Sequence, residues 1–145
     1  MLIRPAAETD LGEWLQMRLS LWPDHSADEH LPEMRDYLQH DELLVLVAED
    51  LSRKLVGFLE ASVQDYAEGC QSNRVGYIEG WYVDSDLRMT GVGRLLVQKA
   101  EDWARSKGCF EMASDCELGN DISLAAHLKV GFEEASRSIH FKKKL

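Results

Sequence analysis

At 145 residues, 45% hydrophobic and 29% charged, the chain has the make-up of one ordinary globular domain, long enough to bury roughly two-thirds of its unfolded surface. A formal net charge of −10 argues against nucleic acid and anionic membranes as partners; it would attract a cationic substrate, though an acidic surface more often only keeps a protein in solution. The longest apolar run, Leu43–Ala48, is far short of the ~20 residues that span a bilayer. The opening MLIRPAAETD has no apolar export segment, so the expected setting is the cytoplasm.

Leu2-Ile3-Arg4 reads as a short opening strand. Asp10 with Glu13 three residues on predicts a capped helix start. Leu11, Trp14, Leu15 and Leu19 then keep helical spacing, with Arg18 the one charge on that face, until Pro23 stops the pattern. Ser26 and Glu29 predict a second capping box, opening a helix that presents Leu31, Met34 and Leu38, with Pro32 in its first turn. Leu43–Ala48 is expected to be a strand buried on both faces, with Leu55–Val63 as its antiparallel partner and the polar segment 64–74 as a connector.

A strand over Tyr77–Val83 follows. Alternation places Tyr77, Glu79, Trp81 and Val83 on one side if no bulge interrupts them. A helix is predicted over Val92–Ser106, with Val92, Leu95, Leu96, Ala100 and Trp103 as its core stripe and Gly108 beyond its end. Phe110–Cys116 reads as a strand, and Asn120 or Asp121 can cap a helix ending near Gly131. Phe132 onward reads as two short strands. The three cysteines, Cys70, Cys109 and Cys116, lack C-x-x-C spacing, so neither a disulfide framework nor a metal site is indicated.

The stretch that carries chemistry is the loop Arg88-Met89-Thr90-Gly91-Val92-Gly93, between strand and helix. Glycines at alternate positions let the backbone curl so that successive N–H groups point into one concavity. The helix beginning near Val92 adds unpaired N–H groups and the positive end of its dipole, which suits a diphosphate. Two glycines in such a turn are equally a tight structural connection. There is no G-x-x-x-x-G-K-[ST] and no third glycine of a dinucleotide fingerprint. Glu79 stands one strand-length upstream, as a base would. Asp115, after the small residues Ala113 and Ser114, lies where a second carboxylate could meet it across a cleft, favouring a polycationic ligand.

The Arg88–Gly93 loop, the preceding IEGWYV and the late Lys129-Val130-Gly131-Phe132 resemble GNAT-family N-acetyltransferases over essentially the whole chain. More narrowly, Leu21-Trp22-Pro23, Leu59-Glu60-Ala61-Ser62, Glu79-Gly80 and Met112-Ala113-Ser114-Asp115 resemble aminoglycoside 6′-N-acetyltransferases. The resemblance implies an α+β fold, with a mixed, mostly antiparallel sheet flanked by helices, in a single domain over residues 1–145. It implies acetyl-coenzyme A as co-substrate, an aminoglycoside as acceptor, a homodimer, and direct attack in a ternary complex without a covalent enzyme intermediate.

On the cofactor side it implies backbone contacts from Trp81, Tyr82 and Val83, a diphosphate held by Met89, Thr90, Gly91, Val92, Gly93 and Arg94 with charge from Arg88, and a contact from Asn120. On the substrate side it implies Trp22, His25 and Tyr66 beside Glu79 and Asp115. The position of Ser136 can be acidic in relatives and is neutral here. His127 stands where many relatives carry a tyrosine thought to protonate the departing thiolate; it reads equally as a satisfied residue of the helix face. The alternatives are a GNAT enzyme for another cationic amine, a polyamine or a peptide N-terminus, and a non-catalytic acyl-coenzyme A sensor.

Overall fold

The computed structural model describes residues 1–145. Its layering follows from strand β2 (Leu43–Glu49), whose residues Leu44–Ala48 are all buried. Strand alternation sends Leu44, Leu46 and Ala48 into one core and Val45 and Val47 into another. A sheet buried on both faces needs helices on both. Helices α1 (Leu11–Leu21) and α2 (Ala27–Tyr37) cover one face through Trp14, Met17, Met34 and Tyr37. Helix α3 (Val92–Ser106) covers the other through Val92, Leu96, Val97 and Ala100. Leu95, expected on that stripe, is exposed.

The sheet runs in the order β1 (Leu2–Pro5), β2, β3 (Leu55–Gln64), β4 (Val75–Val83), β5 (Glu111–Ser114). The first four strands are antiparallel neighbours, and β5 lies parallel to β4. Helix α4 (Asp121–Lys129) follows β5. No helix is long and apolar enough to cross a membrane.

Several local expectations need correction. Asp10 does not cap α1 with its side chain. It accepts instead from the Arg4 guanidinium at 2.8 and 2.9 Å and from the Ala7 N–H, while Glu13 accepts from the Leu55 N–H of β3. Long-range partners outcompete the local cap. Ser26 does cap α2, accepting from the Glu29 N–H at 3.3 Å, but Pro32 lies past the first turn, inside the helix. Its missing N–H leaves the Asp28 carbonyl without its helical donor.

The two strands expected from Phe132 onward are absent. Residues 133–145 carry no regular structure and leave Ile139 and Phe141 exposed. These side chains cover no apolar surface in the structure, so nothing offsets the entropy of ordering a strand.

Candidate active site

β4 and β5 pair only between Val75–Ile78 and Glu111–Ser114. There β5 stops while β4 continues to Val83, so the sheet forks and the Glu79–Val83 backbone has no strand beside it on that edge. The fork coincides with a bulge. Glu60 of β3 pairs with Gly80 but the next residue, Ala61, pairs with Ile78, leaving Glu79 as the extra residue. A bulge reverses the side-chain alternation beyond it. Tyr77, Glu79, Trp81 and Val83 therefore do not share a face: Tyr77 packs with Ala67, Val75 and Ala113, and Trp81 and Val83 belong to the α3 core.

Acidic groups gather at the mouth of the fork. The Tyr77 hydroxyl donates to Asp115, and Glu79 accepts from the Ser62 hydroxyl at 2.9 Å and from the Gln64 amide at 3.4 Å. Burial, the Asp115 acceptor and the charges of Asp115 and Glu79 push the Tyr77 phenol well above its usual range, so it remains a donor. The two carboxylates expected to cooperate thus have separate donors, Asp115 from Tyr77 and Glu79 from Ser62 and Gln64. Trp22 covers Gly80, the residue after the bulge, so tightly that a Cβ there would lie 2.4 Å from the indole.

His25, Tyr66 and Ser136 are exposed and make no hydrogen bond to the carboxylate pair. His25 bonds Glu29 at 2.8 Å. Ser136 lies in the tail beside Ala135, whose Cβ would stand 2.7 Å from one built on Gly69 of the connector.

The other arm of the fork is the start of α3. Gly91 is its N-cap with φ of 97°, and no side chain caps the helix. The first helical bond is Leu95 N–H to the Gly91 carbonyl, at 3.0 Å, which leaves the N–H groups of Val92, Gly93 and Arg94 without helical acceptors. Arg88 donates to the Val83 carbonyl at 3.1 Å, Thr90 to the Leu87 carbonyl, and Arg94 to the Lys129 carbonyl at 2.9 Å. Each arginine so anchored keeps further N–H groups. A Cβ on Gly93 would stand 3.1 Å from the Trp81 ring. The buried Trp81 Nε1–H beside it has no partner. Unpaired N–H groups and an uncapped helix end make an acceptor-seeking, anion-seeking surface.

His127 sits edge-on to Trp81, with ring centroids 5.2 Å apart. Its Nδ1 faces the Ser123 carbonyl at 2.7 Å and must therefore carry a proton, and its Nε2 faces the Ser114 hydroxyl at 2.8 Å. In the neutral ring both nitrogens are satisfied and Nε2 has no proton to give. Asn120 Oδ1 caps α4 by accepting from Ser123 N–H at 3.1 Å; its amide N–H groups remain free for another acceptor. No group of three or more His, Cys, Asp or Glu side chains is placed to hold a metal ion.

Sequence reasoning missed Tyr77 as the donor to Asp115, and it missed the buried network below Trp22. There Glu60 accepts from Arg18 at 2.6 and 2.8 Å and from Trp14 Nε1 at 2.9 Å. A signal was present: one carboxylate within the apolar run of β3 and one guanidinium on the apolar face of α1 imply each other, since neither charge can be buried alone.

A forked mixed sheet with an uncapped, glycine-led helix at the fork is the architecture of an acyl-coenzyme A-dependent transferase. The chain belongs to the acetyltransferase (GNAT) family, whose profile matches residues 11–132. It is 44% identical over 147 aligned positions to an aminoglycoside N(6′)-acetyltransferase type 1 of Klebsiella aerogenes, spanning 99% of this chain and 97% of that one. Among solved structures it superposes with a TM-score of 0.93 on the apo aminoglycoside 6′-N-acetyltransferase AAC(6′)-IG of Acinetobacter haemolyticus, at 39% identity over 100% of this chain and 99% of that one. The TM-score is again 0.93 for AAC(6′)-Iy in complex with the bisubstrate analogue CoA-S-monomethyl-acetylneamine, at 37% identity over 99% and 98%.

Proposed function

We propose that residues 1–145 form one GNAT domain that transfers the acetyl group of acetyl-coenzyme A to the 6′-amino group of aminoglycosides, by direct attack with both substrates bound. The carrying observation is the fork itself: an anion-seeking helix end beside its β4 arm and, at its mouth, the carboxylates of Glu79, bonded by Ser62, and Asp115, bonded by Tyr77. The relatives of similar length that carry the same activity in their names support it.

The residues present fit the co-substrate. The free N–H groups of Val92–Arg94, the curl of Met89–Gly91 and the spare donors of Arg88 and Arg94 suit its diphosphate. The unpaired edge of Trp81, Tyr82 and Val83 suits an amide-bearing arm laid down like an added strand, with the Asn120 amide and the orphan Trp81 N–H as further donors. When bound, acetyl-coenzyme A supplies an acetyl group activated as a thioester.

The chain's task is then to present a neutral amine, since an alkylammonium, with a reference pKa of about 10.4, has no free lone pair. Glu79 takes that proton, directly or through a water, and Asp115, oriented by Tyr77, holds the neighbouring positive charges of the drug. Trp22, His25 and Tyr66 offer ring faces to the sugar and ammonium groups, and Ser136 offers a neutral hydroxyl. His127 would serve as general acid only as the imidazolium, its Nε2–H then being the proton for the departing thiolate in place of the Ser114 contact. The net charge of −10 steers a polycation toward the site.

The test is thiol release from acetyl-coenzyme A with kanamycin or tobramycin, compared with spermidine and a peptide amine. Glu79→Gln and Asp115→Asn lower turnover or drug affinity by about 10- to 1,000-fold while coenzyme A binding stays near wild type. Binding of coenzyme A with no amine stimulating thiol release would instead identify a sensor.

The chain acts in the cytoplasm, where acetyl-coenzyme A is made, and it works as a homodimer. What supports the dimer is unsatisfied surface: exposed Ile139 and Phe141 in the tail, exposed Phe110 at β5, the open outer edge of β5, and beside it a groove of about 530 Å³ lined in part by Glu111, Met112 and Phe132. An open strand edge invites a strand from another copy.

A further inference from the structure

The largest polar investment in the interior of this chain is not at the fork but beneath it. Glu60 and Arg18 have side chains only 1% exposed each. Burial pushes the Glu60 carboxyl above its usual range; against that, Glu60 receives three N–H donors, two from Arg18 and one from Trp14. The remaining Arg18 nitrogen reaches His30 Nδ1 at 2.8 Å and Glu33 at 3.4 Å. Arginine can only donate, so His30 Nδ1 accepts and Nε2 bears the proton, which points to the Trp22 carbonyl at 3.4 Å. An apolar group of the same volume would hold this core together as well or better. What the ion pair adds is direction.

All of that direction converges on Trp22. The Arg18 guanidinium lies 4.9 Å from its ring centroid, His30 stacks on it at 6.2 Å and 26°, and Phe58 meets it edge-on at 6.2 Å. The ring tip fills the notch over Gly80. Glu60 is itself the cross-strand partner of Gly80, and the register slips at the next residue to extrude Glu79. One buried carboxylate thus stands at the crossing of α1, the strand that bulges, and the indole that leans on the bulge.

We propose that the Arg18–Glu60 pair, with His30, is the positioning device of the acceptor site: it fixes Trp22 over Gly80 and so sets the spacing between that ring and Glu79, without contacting either substrate. The inference rests on the reading of Trp22 as a wall of the aminoglycoside site. It assigns Arg18, Glu60 and His30 to acceptor affinity rather than to cofactor affinity or to chemistry.

The test uses the full chain and measures KM for tobramycin and for acetyl-coenzyme A separately. The variants are Trp22→Ala, the volume-keeping pair Arg18→Met with Glu60→Met, and the combination of all three. The double apolar variant stays folded, raises the tobramycin KM by about tenfold and moves the acetyl-coenzyme A KM by less than about twofold. Added to Trp22→Ala it changes nothing further, because it acts through that ring. A tobramycin KM left unchanged, both KM values rising together, or effects that multiply with Trp22→Ala would overturn the proposal. If the apolar pair does not fold, Glu60→Gln carries the same comparison with the same three outcomes. A Trp22→Ala variant with wild-type tobramycin KM removes the underlying reading of Trp22, whereas a defective Trp22→Ala beside an unaffected ion-pair variant removes the positioning role alone.

Discussion

Gly91 and Gly93 are two residues apart in one loop, yet the structure gives them different duties, and alanine at each separates the two. At Gly91 an added Cβ meets nothing within 4 Å, but φ is 97°. The cost is backbone strain of about 1–2 kcal/mol, whatever its neighbours. At Gly93 the backbone is helical and alanine is intrinsically preferred by up to ~1 kcal/mol. There the new Cβ would stand 3.1, 3.3 and 3.4 Å from three atoms of the Trp81 indole, a shortfall of a few tenths of an ångström against ordinary contact. Trp81 packs against the core and the edge of His127, so the ring cannot retreat freely, and overpacking of this size costs about 1–3 kcal/mol. The net loss for Gly93→Ala is about 1 kcal/mol, or roughly 2–4 °C in Tm for a domain of this size.

The deciding assay is urea denaturation of each variant in wild-type and Trp81→Phe backgrounds. Trimming the indole abolishes the penalty of Gly93→Ala, leaving it neutral or slightly stabilising, and leaves Gly91→Ala as costly as before. A Gly93→Ala penalty that persists with phenylalanine at 81, or a Gly91→Ala penalty that vanishes there, would show that the duties have been misassigned.

Tyr77→Phe removes the donor to Asp115; catalytic efficiency toward an aminoglycoside falls about 10- to 100-fold, the scale of one hydrogen bond to a charged group, while coenzyme A affinity measured by calorimetry is unchanged. Asp10→Asn costs about 1–2 kcal/mol near neutral pH by denaturant melts. The pairing with Arg4 holds Asp10 below its usual range, so its contribution is full above the unfolded pKa of about 3.9 and fades as pH falls through and below it; wild type and variant therefore converge in acid. On the proposed homodimer, the full chain sediments as a dimer and removal of residues 133–145 leaves a monomer; a monomeric full chain at micromolar concentration refutes the dimer outright.

The uncapped helix start was legible in the sequence because its geometry is local. The positive φ of Gly91 and the free N–H groups after it follow from backbone curl and a helix start, and both are written in consecutive residues. The arrangement of Glu79, Asp115 and Tyr77 was not legible. That Glu79 is extruded by a bulge depends on how β3 and β4 pair around Glu60 and Gly80, and a single inserted residue in a ladder has no signature in composition. Tyr77 reaches Asp115 because β5 lies parallel to β4 and four residues long, a register no local pattern specifies. The Asp10 cap failed for the same reason: a guanidinium from β1 is a stronger partner than the local backbone N–H. The tail reads as strand from its own residues, yet a strand forms only where it pairs, and residues 133–145 pair with nothing in the structure.

The fork also governs how the molecule keeps its shape. Past Ile78 and Ser114 the two arms of the sheet are joined by no further rungs, so the half in which the chemistry is proposed is a split plank, laced at one end only. A ligand lying along the split acts as a seam and contributes to folding as well as to reaction. The empty enzyme is accordingly the softer one, and in a cell short of acetyl-coenzyme A it would be the first population to reach the proteases.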